Sequence, residues 1–133
     1  MSDTIIVEMQ QGRKLAPFLN ESITQKLVEY RNIYFNLSYN SPQQAKLTTG
    51  SLLGEILGHM KNFTKGQSFQ HIIYSAHDTN VASLMSSFGD FNNLAPPYTS
   101  SVIFELHKLS SVRIRIIIIM IFTFIFYIRA STL

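Results

Sequence analysis

The stretch QHIIYSAHDTNVASL, residues 70–84, sets an imidazole (His77) beside a carboxyl group (Asp78). An apolar run precedes the pair, and a Thr-Asn start to a helical pattern follows it. Two chemistries suit such a pair. A protonated imidazole donates to a phosphate oxygen, and a neighbouring anion favours that protonated form. A protonated carboxyl group beside a bound phosphate ester can deliver its proton to the departing alkoxide, a contribution of about 10² to 10⁴ in rate. The same residues also suit a structural role, with Asp78 capping a helix and His77 a polar residue at a strand end.

The elements that must position the pair are legible around it. Residues 70–75 form a short, nearly continuous apolar run with a β-branched centre, the profile of a strand buried on both faces. Asp78, Thr79 and Asn80 accept hydrogen bonds from free amides at a helix start, and Val81, Leu84 and Met85 supply an apolar face behind them. The order is strand, tight connection, helix. In open α/β sheets ligands gather beyond the carboxyl ends of strands, where a helix start favours an anion by about 0.3–1 kcal/mol.

Upstream, Ser22 to about Asn36 reads as a helix whose Ile23, Leu27, Tyr30 and Tyr34 make a core-facing stripe. NLSYNSPQQAK reads as a loop broken by Pro42. A second helix is expected from about Thr49 to Lys61, with Leu53, Ile56, Leu57 and Met60 on one face. NFTKGQS is expected to turn, GDFNNLAPPYTS to loop and SVIFEL to form another strand. The fold class expected is α/β, a partial sheet with flanking helices.

Composition narrows the function classes. At 133 residues the chain suits one domain. The net charge of +3 is not spread evenly. Residues 1–106 hold seven Lys and Arg against eight Asp and Glu, so the basic excess belongs to the tail, and no basic patch interleaved with aromatics points to nucleic acid. With no cysteine, disulfides, thiolate metal sites and a cysteine nucleophile are excluded. The histidine spacing is not that of a zinc site, and no metal or other cofactor is called for. The amino terminus has neither the basic start nor the apolar run of a signal peptide. Asn20, Asn36 and Asn62 each open a glycosylation-type triplet; one or two are expected by chance in a chain this rich in Asn, Ser and Thr, and the third is a faint hint of a secretory ancestor.

Several separated pieces resemble the histidine acid phosphatase family, which includes lysosomal and prostatic-type acid phosphatases. KLTTGSLLGEILGHMKN is similar to the family's helix before the catalytic strand, with Gly50, Leu52, Glu55, Ile56 and Leu57 in family-like places. IIYSAHDTNVASLM resembles its strand, His-Asp motif and following helix, LAPPYTSSVIFELH its Pro-Pro-Tyr loop and next strand, and LAPFLNESITQKL, more weakly, a helix entry. The resemblance implies phosphomonoester hydrolysis at acidic pH through a phosphohistidine, with His77 contacting phosphate and Asp78 donating the proton. It also implies a secretory, lysosomal or extracellular setting, a phosphate monoester or phosphate as ligand, and no cofactor. The family's nucleophile and phosphate-clamping arginine lie in an Arg-His-Gly motif that does not occur here, and neither Arg13 nor Arg31 sits in such a motif. His59, His71 and His107 read more simply as structural or solvent-facing residues.

The expectation is therefore an incomplete site on a sheet truncated at its amino-terminal side, inactive alone, or else a membrane-associated phosphate-binding or vestigial module. In this reading 1–14 is unassigned, 15–107 is the family-like part and 108–133 an apolar tail. Within the tail, Ile116 to Ile128 is a thirteen-residue apolar run between two arginines. As a helix it would span about 20 Å against a hydrocarbon core of about 30 Å. A short membrane anchor, a buried strand and translated non-coding sequence all remain open for it, and the sequence fixes no oligomeric state.

Overall fold

In the computed structural model, residues 2–67, 71–109, 113–121 and 125–131 are described. They form, in chain order, α1 (Ser2–Gln10), α2 (Glu21–Tyr39), α3 (Pro42–Phe63), β1 (His71–Ser75), α4 (Asp78–Ser87), β2 (Ser101–Leu109), β3 (Arg113–Ile121) and β4 (Ile125–Ser131). The content is α/β, as expected.

The helix ends follow capping chemistry. Asn20, two residues before the expected Ser22, caps α2 by accepting from the Ile23 amide at 3.0 Å. Ser41 accepts from the Gln44 amide at the head of α3. The stretch expected as a loop shrinks to Asn40 and Ser41. Pro42 does not break a helix there but begins one, because the first helical turn has no amide to lose and favours the fixed φ of proline.

The four strands form one mixed sheet in the order β1-β4-β2-β3. β4 runs antiparallel to β1 and parallel to β2, so that Tyr127 lies in register with both Ile73 and Ile103. β3 pairs antiparallel with β2, Phe104 opposite Ile118. The run 116–128 therefore falls across β3 and β4, with 122–124 outside the described residues. Among the described residues, no helix is long and apolar enough to cross a membrane.

One face of this sheet meets α3 and α4. Ile56 and Met60 of α3, Val81, Leu84 and Met85 of α4, and Val102, Phe104 and Leu106 of β2 make the main core, with Ile72 and Tyr74 of β1 packed against it. A smaller cluster joins Phe35 and Tyr39 of α2 to Ala82 of α4. The expectation of a strand buried on both faces fails for β1. Exposure alternates along it, and Ile73 is 63% exposed, because the core helices cover only the face that carries Ile72 and Tyr74.

The stripe expected to bury α2 is likewise displaced. Ile23, Tyr30 and Tyr34 are exposed, and the inward positions are Thr24, Phe35 and Tyr39. Both sets fit helical spacing. The aromatic pair Phe35 and Tyr39 prevails because Ala82 of α4 leaves room for large rings.

Two measurements check this packing. Phe104 is fully buried, and Phe104→Ala is expected to cost about 3–5 kcal/mol in denaturant unfolding. Tyr74 donates to Glu55 Oε1 at 3.0 Å, tying β1 to α3. Burial first, then this bond and the carboxylate charge, push its phenol from 10.0 up to about 12. The stability so gained is present below pH 10 and lost as pH rises toward about 12. An ultraviolet titration should show a late-ionising tyrosine that Tyr74→Phe removes and Glu55→Gln shifts downward.

Candidate active site

β1 ends at Ser75, and Ala76 and His77 carry the chain into α4. His77 is the N-cap residue in extended conformation, and its backbone amide donates to Asn80 Oδ1 at 3.0 Å. Asp78 is the first helical residue. Its Oδ1 accepts from the Thr79 amide at 2.8 Å, so the carboxylate is held against the positive end of the helix. The structural role that the sequence allowed is thus present, carried by Asn80 and Asp78.

Asp78 makes a second contact that sequence reasoning missed. Arg31 of α2 donates from Nη2 to Asp78 Oδ2 at 3.1 Å. The Arg31 side chain is only 10% exposed and that of Asp78 is 28% exposed. The guanidinium carbon lies 5.7 Å from the Phe35 ring centroid and 5.6 Å from that of Tyr98, within cation–π range of both. On its other side Arg31 Nε lies 3.3 Å from Asp3 Oδ1 of α1. That is close enough for charge pairing, yet Nε has no aligned hydrogen-bond partner. A signal was available in the sequence: Arg31, Phe35 and Tyr39 recur every fourth residue on one helix face.

Tyr98 reaches this position through a strained turn. The loop after α4 is tied to α2 by the Ala95 amide, which donates to Asn32 Oδ1 at 3.0 Å. Thr99 then adopts φ 67°, a left-handed conformation that costs a β-branched residue about 1–2 kcal/mol. Ser100 closes the turn, its hydroxyl donating to Pro97 O at 2.7 Å.

Asp3, Tyr30, Arg31, Tyr34, Phe35, Asp78 and Thr79 line a cavity of about 430 Å³. Tyr39 stands close by. Burial, then Tyr34, then the Asp78 charge push its phenol upward, against a hydrogen bond with Thr79 that lowers it. It therefore stays neutral at acidic and neutral pH. A smaller cavity of about 150 Å³ between α4 and the Pro96–Pro97 loop is walled mainly by apolar groups and touches neither His77 nor Asp78.

The expected pair is adjacent in sequence but not joined in this cavity. Asp78 lines it; His77 is exposed and does not. His59 lies 3.6 Å from Glu55 and His107 2.9 Å from Glu105, while His71 opens β1 at the end remote from Asp78. Among the described residues no cluster of His, Asp and Glu could hold a metal ion. Of the glycosylation candidates, Asn20 caps α2, Asn36 accepts from Asn40 within one helix turn, and Asn62 lies in the last turn of α3.

With this corner in view, the similarity to known proteins is specific. The profile of the histidine phosphatase superfamily, branch 2, matches residues 5–119. The chain belongs to that superfamily. The match is wider than the motif-bearing stretch 15–107, taking in most of α1 and nearly all of β3. β4 lies beyond it. Human prostatic acid phosphatase is 34% identical over 109 residues, covering 79% of this chain and 28% of that protein. Human lysosomal acid phosphatase is 30% identical over 110 residues, 80% of this chain and 26% of that protein. Bovine prostatic acid phosphatase is 32% identical over 109 residues, with 79% and 28% covered. The chain thus spans about a quarter of the length of these family relatives. No solved structure matches it significantly.

The strain at Thr99 yields a prediction. Thr99→Gly is expected to raise stability by about 1 kcal/mol, less the greater flexibility glycine gives the unfolded chain. Thermal unfolding of the two proteins side by side measures it.

Proposed function

We propose that the β1–α4 corner is the leaving-group side of a phosphomonoester hydrolase site, with His77 contacting the phosphoryl group and Asp78 donating the proton. The observation that carries this reading is the placement of Asp78. Its carboxyl group stands at the head of a helix and lines a cavity shared with a buried guanidinium. Family membership supports the reaction class, since the relatives are named acid phosphatases. The name of the lysosomal relatives supports a secretory-pathway setting.

In this reading the ester oxygen leaves as the P–O bond breaks, the Asp78 carboxyl proton passes to it, and an alcohol and a carboxylate result. The phosphorus must meanwhile accept a nucleophile. Covalent catalysis needs an activated imidazole in line with the leaving group. No Arg-His-Gly occurs in this sequence, and none of His59, His71 or His107 lines the Asp78 cavity. Proton donation without attack gives no turnover, so the chain by itself is proposed to bind phosphate without hydrolysing its esters. The exposed position of His77 suits a group completed by further protein.

Hydrolysis of p-nitrophenyl phosphate by the 133-residue chain, followed across acidic pH, should stay at the buffer rate. Robust turnover abolished by His77→Ala would overturn the claim of inactivity. Inorganic phosphate at millimolar concentration should raise the unfolding temperature, and a flat response would remove the phosphate reading altogether.

A further inference from the structure

We propose that Arg31 is the anion-binding cation of this corner, and that Asp3 of α1 occupies the seat a phosphate oxyanion takes. The proposal rests on the phosphate reading above and names the group that would receive the charge. A guanidinium is charged at every relevant pH and presents five donors in a planar fork suited to tetrahedral oxyanions. Here the fork is nine-tenths buried and clamped in orientation by the rings of Phe35 and Tyr98. Its Nη2 edge serves Asp78, whereas its Nε hydrogen, also buried, finds no aligned acceptor.

That unmet donor belongs to a side chain lining the 430 Å³ cavity, in which Thr79 marks the head of α4. Asp3 approaches the same Nε edge at 3.3 Å, but its side chain is 73% exposed and its geometry is not that of a hydrogen bond. Asp78, by contrast, is anchored twice, by Arg31 and by the Thr79 amide. Of the two carboxylates beside the guanidinium, Asp3 is the one an incoming anion can replace. Replacement is also required by charge. With Asp78 protonated, as proton donation requires, Asp3 and Arg31 already cancel, so only an anion that displaces Asp3 meets the unshared charge of the guanidinium. Tyr39, kept neutral, adds no opposing charge.

Isothermal titration of inorganic phosphate at low salt, on the whole chain and three variants, tests this. Arg31→Gln should weaken phosphate binding at least about tenfold, the scale of a hydrogen bond to a charged group. Asp3→Asn should strengthen it, by up to about fivefold, the scale of one exposed ion pair. A merely structural Arg31 predicts no gain on losing Asp3, and Asp3 is exposed enough to change without unfolding the chain. Phosphate binding that Arg31→Gln leaves intact, or that Asp3→Asn weakens or leaves unchanged, overturns the proposal. If His77→Ala abolishes binding while Arg31→Gln does not, the corner reading stands and the Arg31 assignment falls. If the unaltered chain binds no phosphate, both fall together.

Discussion

The arrangement of the corner turns on one buried cation. A guanidinium withdrawn from water is tolerable only where carboxylates and aromatic faces replace its hydration. Arg31 obtains these from four separate segments: Asp3 from α1, Phe35 from its own helix, Asp78 from α4 and Tyr98 from the loop before β2. Of these, Asp78 is held by a hydrogen bond, whereas Asp3 stays largely exposed. Asp78 remains 28% exposed, so water screens the pair, and its worth lies below the several kcal/mol of a fully buried one. The pair's greater effect is geometric, because it sets the direction in which the Asp78 carboxyl group faces. It also accounts for the strain at Thr99, which turns the chain so that Tyr98 can reach the guanidinium.

The sheet presents β1 to this corner and leaves one face of that strand uncovered. The core helices cover the face of Val102, Phe104 and Leu106, while Ile73 on the other face remains exposed. β1 is an edge strand whose neighbour among the described residues is β4, from outside the family match. The strand carrying the His-Asp corner is thus backed by a strand that the family profile does not include. An exposed apolar side chain such as Ile73 on an edge strand is an opening for association.

Much of the architecture was legible in the sequence. The order strand, short connection, helix at residues 71–87, and the strand after the Pro-Pro loop, follow from apolar runs bounded by capping and turn residues. What misled the reading was physical ambiguity. Pro42 ends a helix or starts one depending on whether its missing amide would have been used, and only the Ser41 cap decides. The α2 stripe could be drawn through Ile23 and Tyr30 or through Phe35 and Tyr39, because both fit a period near 3.6. β1 is apolar enough for burial on both faces, yet what lies against a strand is a tertiary fact. The place of Asp78 at a helix start was legible because that chemistry is local. Arg31 was passed over because its partners lie 28 residues before it and 47 after it, separations to which no short motif responds.

Binding and turnover are separable in such a corner because they make different demands on the chain. Holding an oxyanion requires positive charge and donors fixed before the ligand arrives, and this chain supplies them through Arg31 and the head of α4. Breaking the ester also requires an attacking atom opposite the leaving oxygen, within a fraction of an ångström of its productive position, and no histidine of this sequence lines the cavity to provide it. A carboxyl group pointing into a cavity without a nucleophile cannot convert proton donation into rate. The weight of a functional reading therefore falls on recognition. Under the proposal above, Asp3 and an incoming anion would compete for one guanidinium edge, and α1 would act on the site through the charge it brings.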